Sequence, residues 1–180
     1  DPSMEDNSQL ILTRSEKKLF IKILSSLLDK SGVETESIVI ETILSKLKSK
    51  DKVVLYIDGA AMPDGQGAGI GGVCYKSEKK IFSFSEFIGN RTNNEAEYFA
   101  LIQGLNHALE KEIKSITIYS DSQLIVNQIN GKYQVKNERM ILCYQKATDI
   151  LSNFNSWTLI HIPREKNTEA DFLSKQGLQI

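Results

Sequence analysis

Residues 53–59 read VVLYIDG, an apolar, β-branched run that ends in an acidic residue and a glycine. Such a run favours a strand that is buried on both faces of a sheet. A similar segment, SITIYSD, occupies residues 115–121 and also ends in an aspartate. Residues 93–110 between them have a helical pattern, and a helical crossover makes the two strands parallel. The sequence therefore predicts that Asp58 and Asp121 end two neighbouring central strands.

The rest of the C-terminal part of the chain alternates between strand and helix. Residues 59–72 are rich in glycine and predict a loop after the first strand. Further strands are predicted at residues 70–75, 81–88 and 157–162, and helices at residues 122–129, 136–151 and 168–176. Because the first three strands form an antiparallel meander and helices separate the later ones, we predict an α/β fold. It would be a mixed five-stranded sheet flanked by helices.

The N-terminal part of the chain has a different pattern. It shows no strand-like alternation, and apolar residues recur at helical spacing within residues 19–28 and 38–47. This pattern predicts a helical hairpin that precedes the sheet. We therefore divide the chain into an N-terminal helical segment, residues 1–50, and a second domain, residues 51–180.

The composition excludes several classes of protein. Hydrophobic residues make up 41% and charged residues 25% of the 180 residues, which suits a globular protein and excludes a mainly disordered chain. The longest apolar run is about six residues, far below the roughly 20 needed to cross a bilayer, so we expect no membrane partner. A net charge of −1 neither indicates nor excludes a nucleic-acid partner.

The N-terminus and the cysteines lead us to expect a cytoplasmic protein. Residues 1–9 are polar and acidic, unlike a secretory signal, and residues 1–3 before Met4 are interpreted as a remnant of cloning. Cys74 and Cys143 are far apart and lack the CxxC spacing of a zinc site. They are interpreted as two small core residues in a reducing compartment.

Asp58 and Asp121 should face one another at the carboxyl edge of the sheet. Adjacent strands lie about 4.8 Å apart, and ligands of α/β proteins usually bind at this edge. Two close carboxylates repel one another, so one would take up a proton unless a divalent cation were bound. Ligation by oxygen alone points to Mg²⁺ or Mn²⁺ rather than zinc.

Two further acids can reach the same edge. Glu97 shares a face of its predicted helix with Leu101, within an apolar stripe that should pack on the sheet and carry the carboxylate inward. Asp171 lies just inside the last predicted helix. The spacing Thr92-x-x-Glu95 matches a capping box, which gives Glu95 a structural role at the start of the Glu97 helix.

Each acid also has an ordinary structural explanation. Asp121 could cap a helix that begins at Ser122, and Asp58 could be a turn residue before a glycine. Glu97 and Asp171 could be solvated helix charges. All four explanations would have to hold by coincidence, so we favour a shared acidic site.

The four acids and their surroundings resemble the signature of the ribonuclease H family, type 1. The resemblance covers residues 52–177 and rests on four segments that occur in order. They are DGAA at 58–61, TNNEAE at 92–97, SDSQ at 120–123 and NTEAD at 167–171. The segment QINGKYQVKN, residues 128–137, is similar to the short, archaeal-like branch of the family, which lacks a large basic protrusion.

The resemblance implies an endoribonuclease that hydrolyses the RNA strand of RNA–DNA hybrids by a two-metal-ion mechanism. It assigns the catalytic and metal-binding roles to Asp58, Glu97, Asp121 and Asp171. The cofactor would be two Mg²⁺ ions, for which Mn²⁺ could substitute. Residues 51–180 would then be a ribonuclease H catalytic domain.

The same resemblance assigns contacts to an RNA–DNA hybrid, the expected partner. The implied substrate-binding residues are Thr92, Asn93, Asn94, Asn137, Arg164, Ala60 and Ala61. The two asparagines of the TNN segment match minor-groove contacts, because an amide both donates to and accepts from a 2′-hydroxyl. Thr92 and Asn137 match a pocket for a phosphate of the DNA strand, and Arg164 would contact phosphate or aid product release.

Two other functions stay open at this point. A non-catalytic hybrid-binding or scaffold module could keep the same fold, although the intact set of acids argues against it. A different nuclease on a similar sheet is a further alternative, which the TNN and VKN segments disfavour. The N-terminal hairpin does not resemble the family's hybrid-binding domain, so we expect it to mediate self-association or to contact an unknown partner.

Overall fold

Two compact units, Asp1–Lys50 and Asp51–Ile180, make up the chain. Their structure is a computed structural model that describes residues 12–30, 34–47 and 52–178. Residues 1–3, which are interpreted from the sequence as a remnant of cloning, lie outside the described residues.

The first unit contains the two predicted helices, α1 (Arg14–Leu28) and α2 (Glu34–Leu47). A capping box starts α1, because the Glu16 N–H donates to Thr13 Oγ1 and the Thr13 N–H donates to Glu16 Oε2 at 2.7 Å. Both orphan donors of the first turn are thereby satisfied. The helical character predicted for this segment is confirmed.

The second unit contains a five-stranded sheet. Its strands are β1 (Val53–Ala61), β2 (Ala68–Lys76), β3 (Lys79–Phe87), β4 (Ser115–Ser120) and β5 (Ser156–His161). They lie in the order β3-β2-β1-β4-β5. The first three strands pair antiparallel, whereas β4 pairs parallel with both β1 and β5. The predicted mixed sheet, with the first and fourth strands adjacent at its centre, is confirmed.

Helices cover the sheet. They are α3 (Asn93–Glu110), α4 (Gln123–Ile129), α5 (Glu138–Leu151) and α6 (Thr168–Leu178), with a short 3₁₀ turn at Arg164–Lys166 before α6. In the described part of the chain, every helix falls short of the length and apolar character that crossing a bilayer requires.

Successive residues of β1 face different helices. Gly59 faces α3, because a Cβ there would lie 2.4 Å from the Ala96 carbonyl carbon. Asp58 points to the opposite face, since side chains alternate along a strand. It pairs in register with Gly71, where a Cβ would lie 2.4 Å from the Ser174 nitrogen of α6. The two helices thus hold the central strands between them.

The glycine-rich stretch was predicted wrongly as a loop. Only residues 62–67 connect β1 to β2, and Asp58 lies within β1 rather than at its end. Gly69 and Gly71 serve a close helix approach instead of a turn, because a Cβ on Gly69 would lie 2.3 Å from the Ser174 carbonyl oxygen. This approach brings α6 onto the sheet beside Asp58.

Candidate active site

Three carboxylates converge at one edge of the sheet. Asp58, Glu97 and Asp121 each offer an oxygen, and these oxygens all lie within 4.8 Å of one another. The convergence follows from the topology, because Ile57 and Ser120 are paired in the parallel β1–β4 ladder and the two aspartates come next along the chain. We call these three residues the acidic cluster.

Glu97 reaches the acidic cluster because α3 lies directly on β1. A Cβ at Gly59 would lie 2.4 Å from the Glu97 nitrogen, so only glycine permits this approach. The Gly59 backbone, which faces Glu97, partly opposes the rise in the pKa of the Glu97 carboxyl that burial causes. The predicted inward direction of Glu97 agrees with its 4% exposure.

The electrostatics of the acidic cluster disfavour three bare negative charges. Burial, opposed in part by a hydrogen bond from Ser174 and assisted by the charges of Asp121 and Asp171, raises the pKa of Asp58 from 3.8 to about 6. Burial and the neighbouring charges of Asp58 and Asp121 raise the pKa of Glu97 well above its usual value. Without a cation, the cluster therefore holds protons more tightly than ordinary carboxylates do.

A buried oxygen of Glu97 favours a cation in the cluster. Among the described residues, Glu97 Oε2 has no hydrogen-bond partner, although it is inaccessible to solvent. An unpaired buried carboxylate oxygen is costly, and a hard divalent cation would satisfy it. Since the cluster offers only oxygen ligands, its residues fit Mg²⁺ or Mn²⁺ better than zinc.

Asp171, the fourth predicted acid, is not in the acidic cluster. It lies near enough that its charge raises the pKa of Asp58. Its Oδ2 forms an ion pair with Lys175 Nζ at 2.9 Å, one turn further along α6. The structure therefore brings three of the four predicted acids into mutual reach and places the fourth beside them, paired with a lysine.

Sequence reasoning assigned no role to two residues that support the cluster. The Ser174 hydroxyl lies 2.6 Å from Asp58 Oδ2 and 2.9 Å from the Asp171 carbonyl oxygen. Asn167 is 1% exposed, and its Nδ2 donates to the Ile57 carbonyl oxygen and to Asp121 Oδ2 at 3.3 Å. Asn167 opens the NTEAD segment and directly precedes α6, a position that indicates a helix cap, so its sequence context did not reveal a contact with Asp121.

Capping excludes the structural explanation of Asp121 at α4 and differs from the prediction at α3. Ser122 caps α4, since the Ile125 N–H donates to its side chain, so Asp121 is not the cap. Thr92 caps α3 by accepting from the Glu95 N–H at 3.1 Å. The Glu95 carboxylate, however, binds Arg139 instead of completing a capping box. The reason is tertiary, because α5 presents an arginine to a carboxylate that is 2% exposed.

Several predicted substrate-binding residues line one cavity of about 400 Å³. We call it the cap cavity, because Thr92 caps α3 and Asn137 caps α5. Its lining includes Thr92, Asn94, Glu95, Lys136, Asn137 and Arg139. The N-termini of two helices therefore meet in one cavity, an arrangement that suits an anion.

The other predicted contact residues lie outside the lining of the cap cavity. Asn93 is exposed in the first turn of α3, one turn before Glu97. Ala60 and Ala61 are half-buried in β1, just beyond Asp58. Arg164 is exposed in the 3₁₀ turn. Their roles toward a substrate stay predictions.

Comparison with known proteins gives consistent matches for the second unit. The family described as Reverse transcriptase-like matches residues 56–177. The chain is 32% identical over 128 residues to Ribonuclease HI of Halobacterium salinarum, covering 71% of this chain and 64% of that protein. It therefore spans a little under two thirds of the length of that curated relative.

Solved structures share the fold. The crystal structure of RNase H1 from Halobacterium salinarum superposes with a TM-score of 0.69 at 31% identity, covering 71% of this chain and 98% of that one. The structure of LC11-RNase H1 in complex with an RNA/DNA hybrid gives a TM-score of 0.67 at 33% identity, covering 71% and 97% of the two chains.

Proposed function

This chain belongs to the Reverse transcriptase-like family, a ribonuclease H-like family, and we propose that it is an endonuclease that hydrolyses the RNA strand of RNA–DNA hybrids. The observation that carries the proposal is the acidic cluster, with its buried, unpaired Glu97 oxygen, one helical turn from the cap cavity. The similarity to a ribonuclease H1 solved with an RNA/DNA hybrid supports the choice of substrate. We assign the catalytic domain to residues 51–180.

The acidic cluster is suited to a divalent metal, and we assign two Mg²⁺ ions to this edge of the sheet. Asp58 would be shared between them, Glu97 and Asp121 would complete one site, and Asp171 the other. Mn²⁺ would substitute, because it accepts the same oxygen ligands. The bound metal supplies activation of water and stabilisation of charge on the leaving 3′-oxygen.

The remaining residues of the site hold groups in place. The Ser174 hydroxyl and the Asn167 amide fix the orientation of Asp58 and Asp121. Asn93 and Asn94 present exposed amides that would contact 2′-hydroxyls in the minor groove.

The strands of a hybrid would meet different parts of this surface. The Ala60 and Ala61 backbone would touch the RNA strand beside Asp58. Thr92 and Asn137 would donate to a phosphate of the DNA strand in the cap cavity. Arg164 would add a phosphate contact next to the cluster.

A substrate comparison tests the proposed function. End-labelled RNA–DNA, RNA–RNA and DNA–DNA duplexes are incubated with the full chain in Mg²⁺ and in Mn²⁺, with Asp121→Asn as the inactive control. We expect metal-dependent cleavage of the RNA strand of the hybrid, lost in the variant. Hybrid binding without cleavage in either metal would support a non-catalytic module, and cleavage of DNA–DNA would support a different nuclease.

Lys175 is expected to weaken metal binding at the Asp171 site, since its ammonium occupies an oxygen that a metal would need. Lys175→Met should therefore tighten Mn²⁺ binding to the hybrid-free protein by about two- to fivefold, the range expected for a partly exposed ion pair. Calorimetric titration with Mn²⁺ measures this affinity, and Lys146→Met on α5 is the control. An unchanged or weaker affinity in Lys175→Met contradicts the prediction.

The proposal also covers the role of the N-terminal helices and the location of the protein in the cell. α1 exposes Leu19, Ile23 and Leu27 at helical spacing. We assign this apolar stripe to self-association, in preference to an unknown partner, and we assign the protein to the cytoplasm. Light scattering of the full chain at micromolar concentration tests self-association, and a monomer at all concentrations speaks against it.

A further inference from the structure

We infer that Glu95 and Arg139 form a positioning pair, in which Arg139 neutralises the buried charge of Glu95 so that a phosphate can reach the two helix caps in the cap cavity. The inference rests on the proposed function, because it concerns how the chain would grip the DNA strand of a hybrid. Neither residue was assigned a substrate role above. The pair acts on the substrate through Thr92 and Asn137.

The pair joins two helices through a buried carboxylate. Arg139 Nε lies 2.7 Å from Glu95 Oε1, and a terminal guanidinium nitrogen lies 3.2 Å from Oε2. Glu95 is 2% exposed, whereas the Arg139 side chain is largely exposed toward the cavity it lines. Such a two-bonded arrangement is stronger and more directional than a surface ion pair.

A second arginine does not share this role. Arg91 lies 3.9 Å from Glu95 Oε2, beyond hydrogen-bonding distance, and its guanidinium stacks on the ring of Phe99 at 4.9 Å. The charge of Glu95 is therefore compensated mainly by Arg139. Without that compensation, a buried negative charge would face the place where a phosphate is proposed to bind.

Each member of the pair is also hydrogen-bonded, through its backbone, to one helix cap. The Glu95 N–H donates to Thr92 Oγ1, and the Arg139 N–H donates to Asn137 Oδ1, as does the Met140 N–H. These bonds use the oxygens of both caps. The Thr92 hydroxyl hydrogen and the amide hydrogens on Asn137 Nδ2 are the donors that remain for a phosphate.

The ion pair therefore cancels the buried charge of Glu95 beside the two phosphate donors and adds no net charge to the cavity. Attraction for the phosphate comes from the two helix N-termini and from Lys136, which also lines the cavity. On this basis Arg139 is not itself a phosphate ligand. Loss of Arg139 should harm binding by exposing the Glu95 charge, and neutralising Glu95 as well should restore it.

The test measures hybrid binding in the full chain carrying Asp121→Asn, by fluorescence anisotropy over a range of salt concentrations. Arg139→Gln should weaken binding at least about tenfold, and Glu95→Gln with Arg139→Gln should return to within about threefold of the parent. Arg91→Gln, the matched control, should stay within about threefold. The slope of log affinity against log salt should be the same for the double variant and the parent.

Kinetics and folding complete the test. In the chain with native Asp121, Arg139→Gln should raise KM with kcat unchanged, whereas a purely structural defect would lower the active fraction and kcat. If Arg139→Gln does not fold, the double variant alone still decides by its affinity and salt slope.

Three results would overturn the positioning pair. The first is an unchanged affinity in Arg139→Gln, and the second is a double variant that binds as weakly as Arg139→Gln. The third is a slope of log affinity against log salt that is smaller by about one in the double variant than in the parent, as expected for a lost phosphate contact. A parent that binds hybrid no better than DNA duplex would instead overturn the proposed function, so the two failures can be distinguished.

Discussion

An Asp58→Asn variant is expected to lose at least about a thousandfold in the rate of hybrid cleavage. Asp58 is the carboxylate on the central strand, 4% exposed, and it lies within reach of both Glu97 and Asp121. An amide keeps the size of the side chain and can still accept from Ser174, but it lacks the negative charge that a metal needs. Single-turnover cleavage of an end-labelled hybrid measures the loss.

The same substitution should stabilise the metal-free protein at alkaline pH. The folded-state pKa of Asp58, about 6, lies above the ordinary value of 3.8, so the folded state binds the proton more tightly than the unfolded state. The stability that this carboxyl contributes is present below about pH 4 and is lost as the pH rises through 6. Asp58→Asn should therefore gain about 2 kcal/mol at pH 8 and almost nothing at pH 4.

Urea unfolding in EDTA at pH 8 and at pH 4 measures this gain. Asp149→Asn is the matched control, because Asp149 is an exposed acid on α5 and should change neither stability nor cleavage. Added Mn²⁺ should stabilise the wild type and not Asp58→Asn. If Asp58→Asn is less stable than the wild type at pH 8 in EDTA, the charge of Asp58 does not destabilise the metal-free acidic cluster, and the prediction is contradicted.

Gly59→Ala is expected to cost about 3 kcal/mol or more of stability and to impair cleavage by the folded fraction. The new Cβ would lie 2.4 Å from both the Ala96 carbonyl carbon and the Glu97 nitrogen, and neither backbone atom can rotate away. The start of α3 must therefore shift from the sheet and take Glu97 out of the acidic cluster. Denaturant unfolding and single-turnover cleavage give the two readouts.

Gly104→Ala is the matched control for this prediction. Gly104 lies in α3, the helix that Gly59 contacts. A Cβ there would lie 2.7 Å from Leu55 Cδ2, which is the end of a side chain that can rotate. Alanine also gains about 1 kcal/mol of helix propensity over glycine, which offsets the crowding. Equal losses in the two variants would show that the backbone contact at Gly59 is not the controlling feature.

The sheet and the convergence of Asp58 with Asp121 could be predicted because their signals are local. Two β-branched runs, with two antiparallel strands and one helical segment between them, favour a parallel pairing, and the acids follow from the ends of those runs. The burial of the Glu97 side chain could be predicted from one apolar stripe on its helix. These inferences needed no knowledge of distant contacts.

The features of the fold and the site that the sequence did not predict depend on contacts between residues that are distant along the chain. The glycines at 69 and 71 resemble a loop in the sequence, because nothing local shows that α6 will cross them. Glu95 matched a capping box, but an arginine 44 residues away binds its carboxylate instead. Asp171 could pair with a metal or with Lys175, and the sequence contains both options without ranking them.

Anomalous scattering from Mn²⁺ shows directly whether Asp58, Glu97, Asp121 and Asp171 hold two metal ions. Crystals of the Asp121→Asn protein would bind the metal too weakly, so the wild type is crystallised with a hybrid whose RNA strand resists hydrolysis, at pH 8 in Mn²⁺. We expect two peaks that share Asp58, each within about 2.2 Å of its oxygens, with Glu97 and Asp121 at one and Asp171 at the other. Manganese bound only elsewhere, with the acidic cluster metal-free beside a seated hybrid, would contradict this expectation.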